Sequence, residues 1–185
     1  MSTEPLAGAI ATAKTVLAAV EAEQLQLPTP CAAWDVAALI NHLVGGQVFF
    51  AAAAAGEPPL GADADFSSGD FCAAFTEASD RCLAAFAADG FGDRMVELPF
   101  GTLPGHAVVA LAATDTFTHS WDLAKATGQS TDLDPTLAAA LLEGARAAIA
   151  PGLRNADGSP FGFEVTVEGE APVADQLAAY LGRQP

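Results

Sequence analysis

Two carboxylates and a histidine fall within eight residues of the stretch ATDTFTHSWDLAKATG, in a chain with three histidines. They are Asp115, His119 and Asp122. Separations of four and three put all three on one side of an α-helix. At about 100° per residue, Asp115 and His119 differ by about 40°, and Asp122 falls about 20° from Asp115. Ala112, Thr116 and Ala126 on or beside that side are small and leave room around the polar atoms. A second histidine, His42, sits among Leu39, Leu43 and Gly46 and belongs to the inward stripe of another helix. His42, Asp115 and His119 together supply two imidazoles and one carboxylate. That donor set can hold a divalent metal and leave positions open for water or substrate. The plainer reading is an inward histidine hydrogen-bonded in the core and an Asp–His pair on an exposed helix face. Asp122 reads as a partner for an imidazole N–H, as a catalytic base, or as surface charge.

The remaining chemistry-bearing residues give less. Cys31 precedes the helix of His42 and could approach the site, but reads first as a structural or loop thiol. Cys72 and Cys82 read as small apolar residues on a helix. Three cysteines without CxxC spacing make neither a disulfide framework nor a cysteine zinc site. His106 lies more than two turns before Asp115 and reads as a surface residue. Gly45 and Gly46, inside a helix, each cost about 1 kcal/mol relative to alanine, and close helix packing beside His42 is the expected reason. No G-x-S-x-G, P-loop or dinucleotide motif is present.

The elements that must position these residues are mainly helical. A first helix is expected from about Glu4 to Gln24, with Leu6, Ile10, Ala13, Leu17 and Val20 along one stripe. LPTPCAAW breaks it, and Asp35 caps a second helix over about 35–55 that ends at Gly56. Trp34 and Leu39 have the spacing of a hydrophobic staple. A third helix over about 69–88 carries Phe71, Phe75, Cys82 and Phe86 inward. RMVELPFGTLPGH has the turn-rich look of a short hairpin. Pro104 is expected at the first position of a fourth helix reaching about Thr127, with Gly128 closing it. A fifth helix is expected over about 135–149, then a short strand in FGFEVTVEG and a last helix in PVADQLAAYLGRQP. The fold class is therefore mainly all-α: one domain over residues 1–185, a four-helix core, and an appendage from about 134 to 185.

Composition narrows the function. Seven Lys and Arg against 23 Asp and Glu give a net charge of −16. No basic stripe exists to follow phosphates, so nucleic acid and anionic membrane are excluded as partners. No apolar stretch reads as long enough to cross a bilayer; VFFAAAAAG reads as the end of a buried helix. The N-terminal stretch has no basic region followed by a leucine-rich core, so a cytoplasmic address is expected. A homodimer is compatible with everything above.

TPCAAWDVAALINHLVGG, TDTFTHSWDLAKATGQ and the closing DQLAAYLGRQP resemble the actinobacterial branch of the DinB/YfiT-like metalloenzymes, related to the metal-binding domain of mycothiol-dependent maleylpyruvate isomerase. The resemblance implies an up-down-down-up four-helix bundle. It also implies a divalent metal on His42, Asp115 and His119, Zn²⁺ first and Ni²⁺ or Fe²⁺ as alternatives. The isomerase pattern has glutamate where Asp115 stands, one methylene longer. By the same resemblance the partner would be a small molecule with mycothiol or another low-molecular-weight thiol, and the activity a metal-dependent thiol transfer or isomerisation. The rival is a non-catalytic binding or stress-related bundle whose metal is structural or absent. An enzyme needs a solvent-reachable pocket at the donors, and a structural site does not.

Overall fold

A computed structural model describes residues 2–58, 64–155, 161–167 and 169–185. Six helices carry the fold: α1 Glu4–Ala18, α2 Val36–Ala55, α3 Phe71–Phe86, α4 Gly105–Ala126, α5 Pro135–Ala148 and α6 Val173–Tyr180. Their ends follow from local chemistry. The carboxylates of Asp35 and Asp70 accept the orphan N–H groups of Ala38 and Ala73, at 2.8 and 2.9 Å. Asp134 does the same for Thr136 and Leu137, just ahead of Pro135. Gly56 ends α2 in the left-handed region, at φ 74°, where a β-carbon would be strained.

Helix directions follow from contacts between their ends. Gln24, just after α1, donates to the Thr127 carbonyl at the end of α4, and Gln129 donates back to Val16. The α1 and α4 C-termini therefore share one end of the bundle. Asn41, near the start of α2, accepts from Phe66 and Ser67, just before α3. At the other end of α2 the Arg94 guanidinium holds the Ala54 carbonyl, while the Arg94 carbonyl accepts from Gly105 at the start of α4. So α1 and α4 run one way and α2 and α3 the other, an up-down-down-up bundle. α1 packs on α3 and α4, and α2 on α3 and α4.

A hairpin, β1 Met95–Leu98 and β2 Gly101–Pro104, joins α3 to α4. Pro104 belongs to its last pair and caps α4 from outside; Gly105 is the first helical residue. α5 and α6 pack on each other and on α4. This second layer buries α4 from Thr116 through Ala124 without a break. Trp121, within that run, donates from Nε1 to Asp175 of α6 at 2.7 Å.

Besides Pro104, which was expected inside the fourth helix, three expectations change. The first helix ends at Ala18, because a 3₁₀ turn at Ala22–Gln24, closed by a Glu21–Gln24 capping box, swings Gln24 onto the end of α4. FGFEVTVEG forms no strand among the described residues. Among the described residues its pairing stops at one bridge, Phe161 to Arg154, and the Val165 N–H goes to the Ala179 carbonyl in the last turn of α6. α2, with 20 residues and a mean hydropathy of 1.6, is long and apolar enough to cross a membrane, contrary to the sequence reading. It is the core helix of the bundle, burying Leu39, Ile40, Leu43, Val44 and Phe50.

Candidate metal centre

The bundle brings the N-terminal half of α2 against the C-terminal half of α4, and the site forms there. Leu39, Ile40 and Leu43 anchor α2 in the core, which turns His42 towards α4. Nε2 of His42 lies 3.4 Å from Oδ1 of Asp115, and Nε2 of His119 lies 3.5 Å from the same oxygen. The two imidazole rings meet edge to face, with centroids 4.4 Å apart. One donor atom from each of the three residues lies within 4.8 Å of the others. Tetrahedral zinc with bonds of ~2.0–2.1 Å has donors about 3.4 Å apart. The residues fit an ion of that kind.

The other nitrogen of His119 is committed elsewhere. Nδ1 lies 3.0 Å from Oδ2 of Asp122, one turn further along α4, and a carboxylate there can only accept, so Nδ1 carries the hydrogen. That points Nε2 at Asp115 and His42, and once the ring is neutral it leaves the lone pair on Nε2. The Asp122 side chain has no exposed surface. Arg183, from the C-terminal tail, donates to both its oxygens at 3.1–3.4 Å. The Cys31 thiol lies 3.3 Å from Oδ2.

Electrostatics follow the contacts. Burial pushes the Asp115 carboxyl up, but the charge and hydrogen bond of His119 and the hydrogen bond of His42 outweigh it, holding Asp115 well below the usual carboxylate range. Burial opposes charge on His119, yet Asp115, Asp122 and Cys31 together raise it well above its ordinary value. Burial would raise Asp122; His119 and Arg183 lower it instead. Cys82, deep in the core with no such partner, is pushed up to about 12.

A half-open cavity of about 70 Å³ adjoins the donors on the side away from α2. Leu111, Phe161 and Leu181 give it apolar walls; Asp115, His119 and Arg183 give it a polar side.

Residues 6–124 match the family described as "Mycothiol maleylpyruvate isomerase N-terminal domain". The chain belongs to that family. All three candidate metal ligands lie in the matched region, and Arg183 lies beyond it. Two Mycobacterium tuberculosis proteins, from strains H37Rv and CDC 1551, are each 46% identical over 170 residues, covering 91% of this chain and 90% of theirs. Both carry the description "uncharacterized protein". No solved structure matches.

Within this member of the mycothiol maleylpyruvate isomerase N-terminal domain family, the structure brings His42, Asp115, His119 and Asp122 together. His106 stays exposed, bonded to the Gly92 carbonyl. Cys31, read as a loop thiol, reaches the site. Two more residues join the site. Trp34 lays its indole beside His42, with centroids 4.5 Å apart, and 5.5 Å from His119. Arg183 arrives from the far end of the chain. For Trp34, its place just before the Asp35 cap was the available signal, since it sits two turns before His42 on the same entry. The glycine pair is not crowded: a β-carbon on Gly45 would meet nothing, and one on Gly46 would touch Oδ2 of Asp115 at an ordinary 3.6 Å.

Proposed function

We propose that His42, Asp115 and His119 hold one divalent ion, zinc in preference to nickel or iron, and that the protein is a metal-dependent enzyme using a low-molecular-weight thiol of the mycothiol type. The observation that carries the metal reading is the convergence of two imidazole nitrogens on one carboxylate oxygen at 3.4 and 3.5 Å. Such an ion supplies Lewis acidity and lowers the pKa of a thiol or water, so that a nucleophile exists at neutral pH.

The chain's own residues do the rest. Asp122 is sealed from solvent and holds the Nδ1–H of His119. Of the roles read for it from the sequence, this contact supports the imidazole partner, a positioning role, over the catalytic base. Trp34 lies against the His42 ring and near that of His119, and restricts water on that side. The His42 and Asp115 side chains keep 31% and 26% of their surface exposed, which supports a site reachable from solvent over a closed structural one. The apolar side chains beside Asp115 and His119, Leu111, Phe161 and Leu181, favour a small uncharged electrophile over a charged one. A dicarboxylate would face the Asp115 carboxylate, with the nearby Arg183 already engaged by Asp122.

The test is metal content by elemental mass spectrometry, on tag-free protein purified without chelator. Near one equivalent, lost in both His42→Ala and His119→Ala, is the expected result. Thiol-dependent turnover of small electrophiles is then screened. No metal after reconstitution with zinc or nickel would defeat the metalloenzyme reading.

A further inference from the structure

We infer that Arg183 is a positioning residue of the metal centre, acting through Asp122 on His119, so that the C-terminal tail completes a site whose ligands all lie more than 60 residues earlier. The inference rests on His119 Nε2 being a metal donor, as proposed above.

The tail is built to deliver this one side chain. After α6 the chain turns at Gly182, whose φ of 95° suits glycine. A β-carbon on Gly182 would lie 2.5 Å from the α-carbon of Gly162, so two glycines allow the tail to cross the 161–162 segment at backbone contact. Arg154 pins the crossing by donating to the carbonyls of Gly162 and Tyr180. The Arg183 N–H then bonds to Ala178, and its side chain turns inward until only 14% is exposed.

Burying a guanidinium is unfavourable unless it is paired. Here Nε reaches Oδ1 and Oδ2 of Asp122 at 3.3 and 3.4 Å, and Nη2 reaches Oδ2 at 3.1 Å. Nη1 bonds to the Leu181 carbonyl, which fixes the fork to its own tail. A carboxylate gripped at both oxygens cannot rotate about its terminal bond. Oδ2 is thereby held where Nδ1 of His119 meets it, and the imidazole plane is set relative to Asp115 and His42. Without the fork Asp122 keeps only the imidazole and the Cys31 thiol, neither of which fixes both oxygens.

The variants are Arg183→Met, which keeps the aliphatic stem, and Arg183→Lys, which keeps the charge but not the fork. Val108→Ala, a core truncation in the distant half of α4, serves as a general destabilisation control. Zinc affinity is measured by competition with a chromophoric chelator. The downfield Nδ1–H proton of His119 is followed by NMR in zinc-free protein. The expected result is a loss of about 10–100-fold in zinc affinity for Arg183→Met, the usual effect of losing a ligand's supporting partner, with Arg183→Lys intermediate. The Nδ1–H resonance shifts or exchanges away in Arg183→Met, and Val108→Ala leaves both readouts unchanged. Wild-type zinc affinity in Arg183→Met, or an equal loss in Val108→Ala, overturns the inference. If the wild type takes no zinc, the metal reading fails by itself. An unchanged Nδ1–H resonance in Arg183→Met then overturns the positioning role, and its loss upholds it.

Discussion

Nδ1 of His119 meets Oδ2 of Asp122 at 3.0 Å, and that contact, made one turn apart on the same helix, decides which face of the imidazole is free. Asp122→Asn keeps the shape but offers a neutral amide in place of the anion. Arg183 is then left buried without its counter-charge. Breaking a buried pair in this way costs about 3–5 kcal/mol, and disturbing a ligand's supporting partner costs about 10–100-fold in metal affinity. Urea unfolding and a zinc competition assay on Asp122→Asn should show both losses.

The same contacts give the ion-free protein a pH signature. Asp115 and Asp122 are held below their unfolded value of 3.8, so their contribution is present above that pH and is lost as pH falls through the lowered values. His119 is raised above 6.5, so its contribution is present below 6.5 and is lost as pH rises through the raised value. The full contribution of all three therefore lies between 3.8 and 6.5. Thermal midpoints of zinc-free protein should peak in that window and decline towards alkaline pH. Zinc must displace a proton from His119, so its affinity should rise with pH and binding should release about one proton. Titration calorimetry in buffers of different ionisation enthalpy measures that number directly.

Two helical glycines separate space from propensity. A β-carbon on Gly105 would lie 2.0 Å from the Phe91 carbonyl oxygen, which is backbone and cannot step aside. Gly105→Ala should therefore destabilise by about 1–3 kcal/mol or more, as overpacking does. A β-carbon on Gly45 meets nothing within 4 Å. Gly45→Ala should stabilise by about 0.5–1 kcal/mol, the helix-propensity difference alone. Denaturant unfolding of the two variants should give opposite signs.

What was legible in the sequence is what depends on near neighbours. Asp35 and Gly56 bound α2 through bonds to groups within four residues, and the apolar spacing around His42 turns it inward. The offsets of four and three likewise put Asp115, His119 and Asp122 on one face without knowledge of the rest of the fold. The third-helix start came within two residues, because Asp70 caps locally. Arg183 was hidden, and the approach of Cys31 was only the second of its readings, for the opposite reason. Each reaches Asp122 by a path set by distant backbone, through a loop between bundle helices in one case and the Gly162–Gly182 crossing in the other. No periodicity encodes such an approach. The end of α1 was misplaced on the same account, since the bond from Gln24 to Thr127 spans 103 residues. Gly45 shows the converse: the packing offers no tertiary cause for it, whereas Gly46 does face Asp115 of α4.

Trp34 offers an optical reading of the centre. It is one of two tryptophans, and its indole lies 4.5 Å from His42 and 5.5 Å from His119. The other, Trp121, is buried and bonded to Asp175 of α6. Zinc arriving between the imidazoles removes the charge on His119 and brings a divalent charge beside the Trp34 ring, so Trp34 emission should change while Trp121 emission does not. Fluorescence titration of wild-type protein should break at one equivalent of zinc. Trp34→Phe should lose that signal but still take up one zinc by elemental analysis. A full signal in Trp34→Phe would place the ion away from His42, and no signal in a wild type that does bind zinc would do the same.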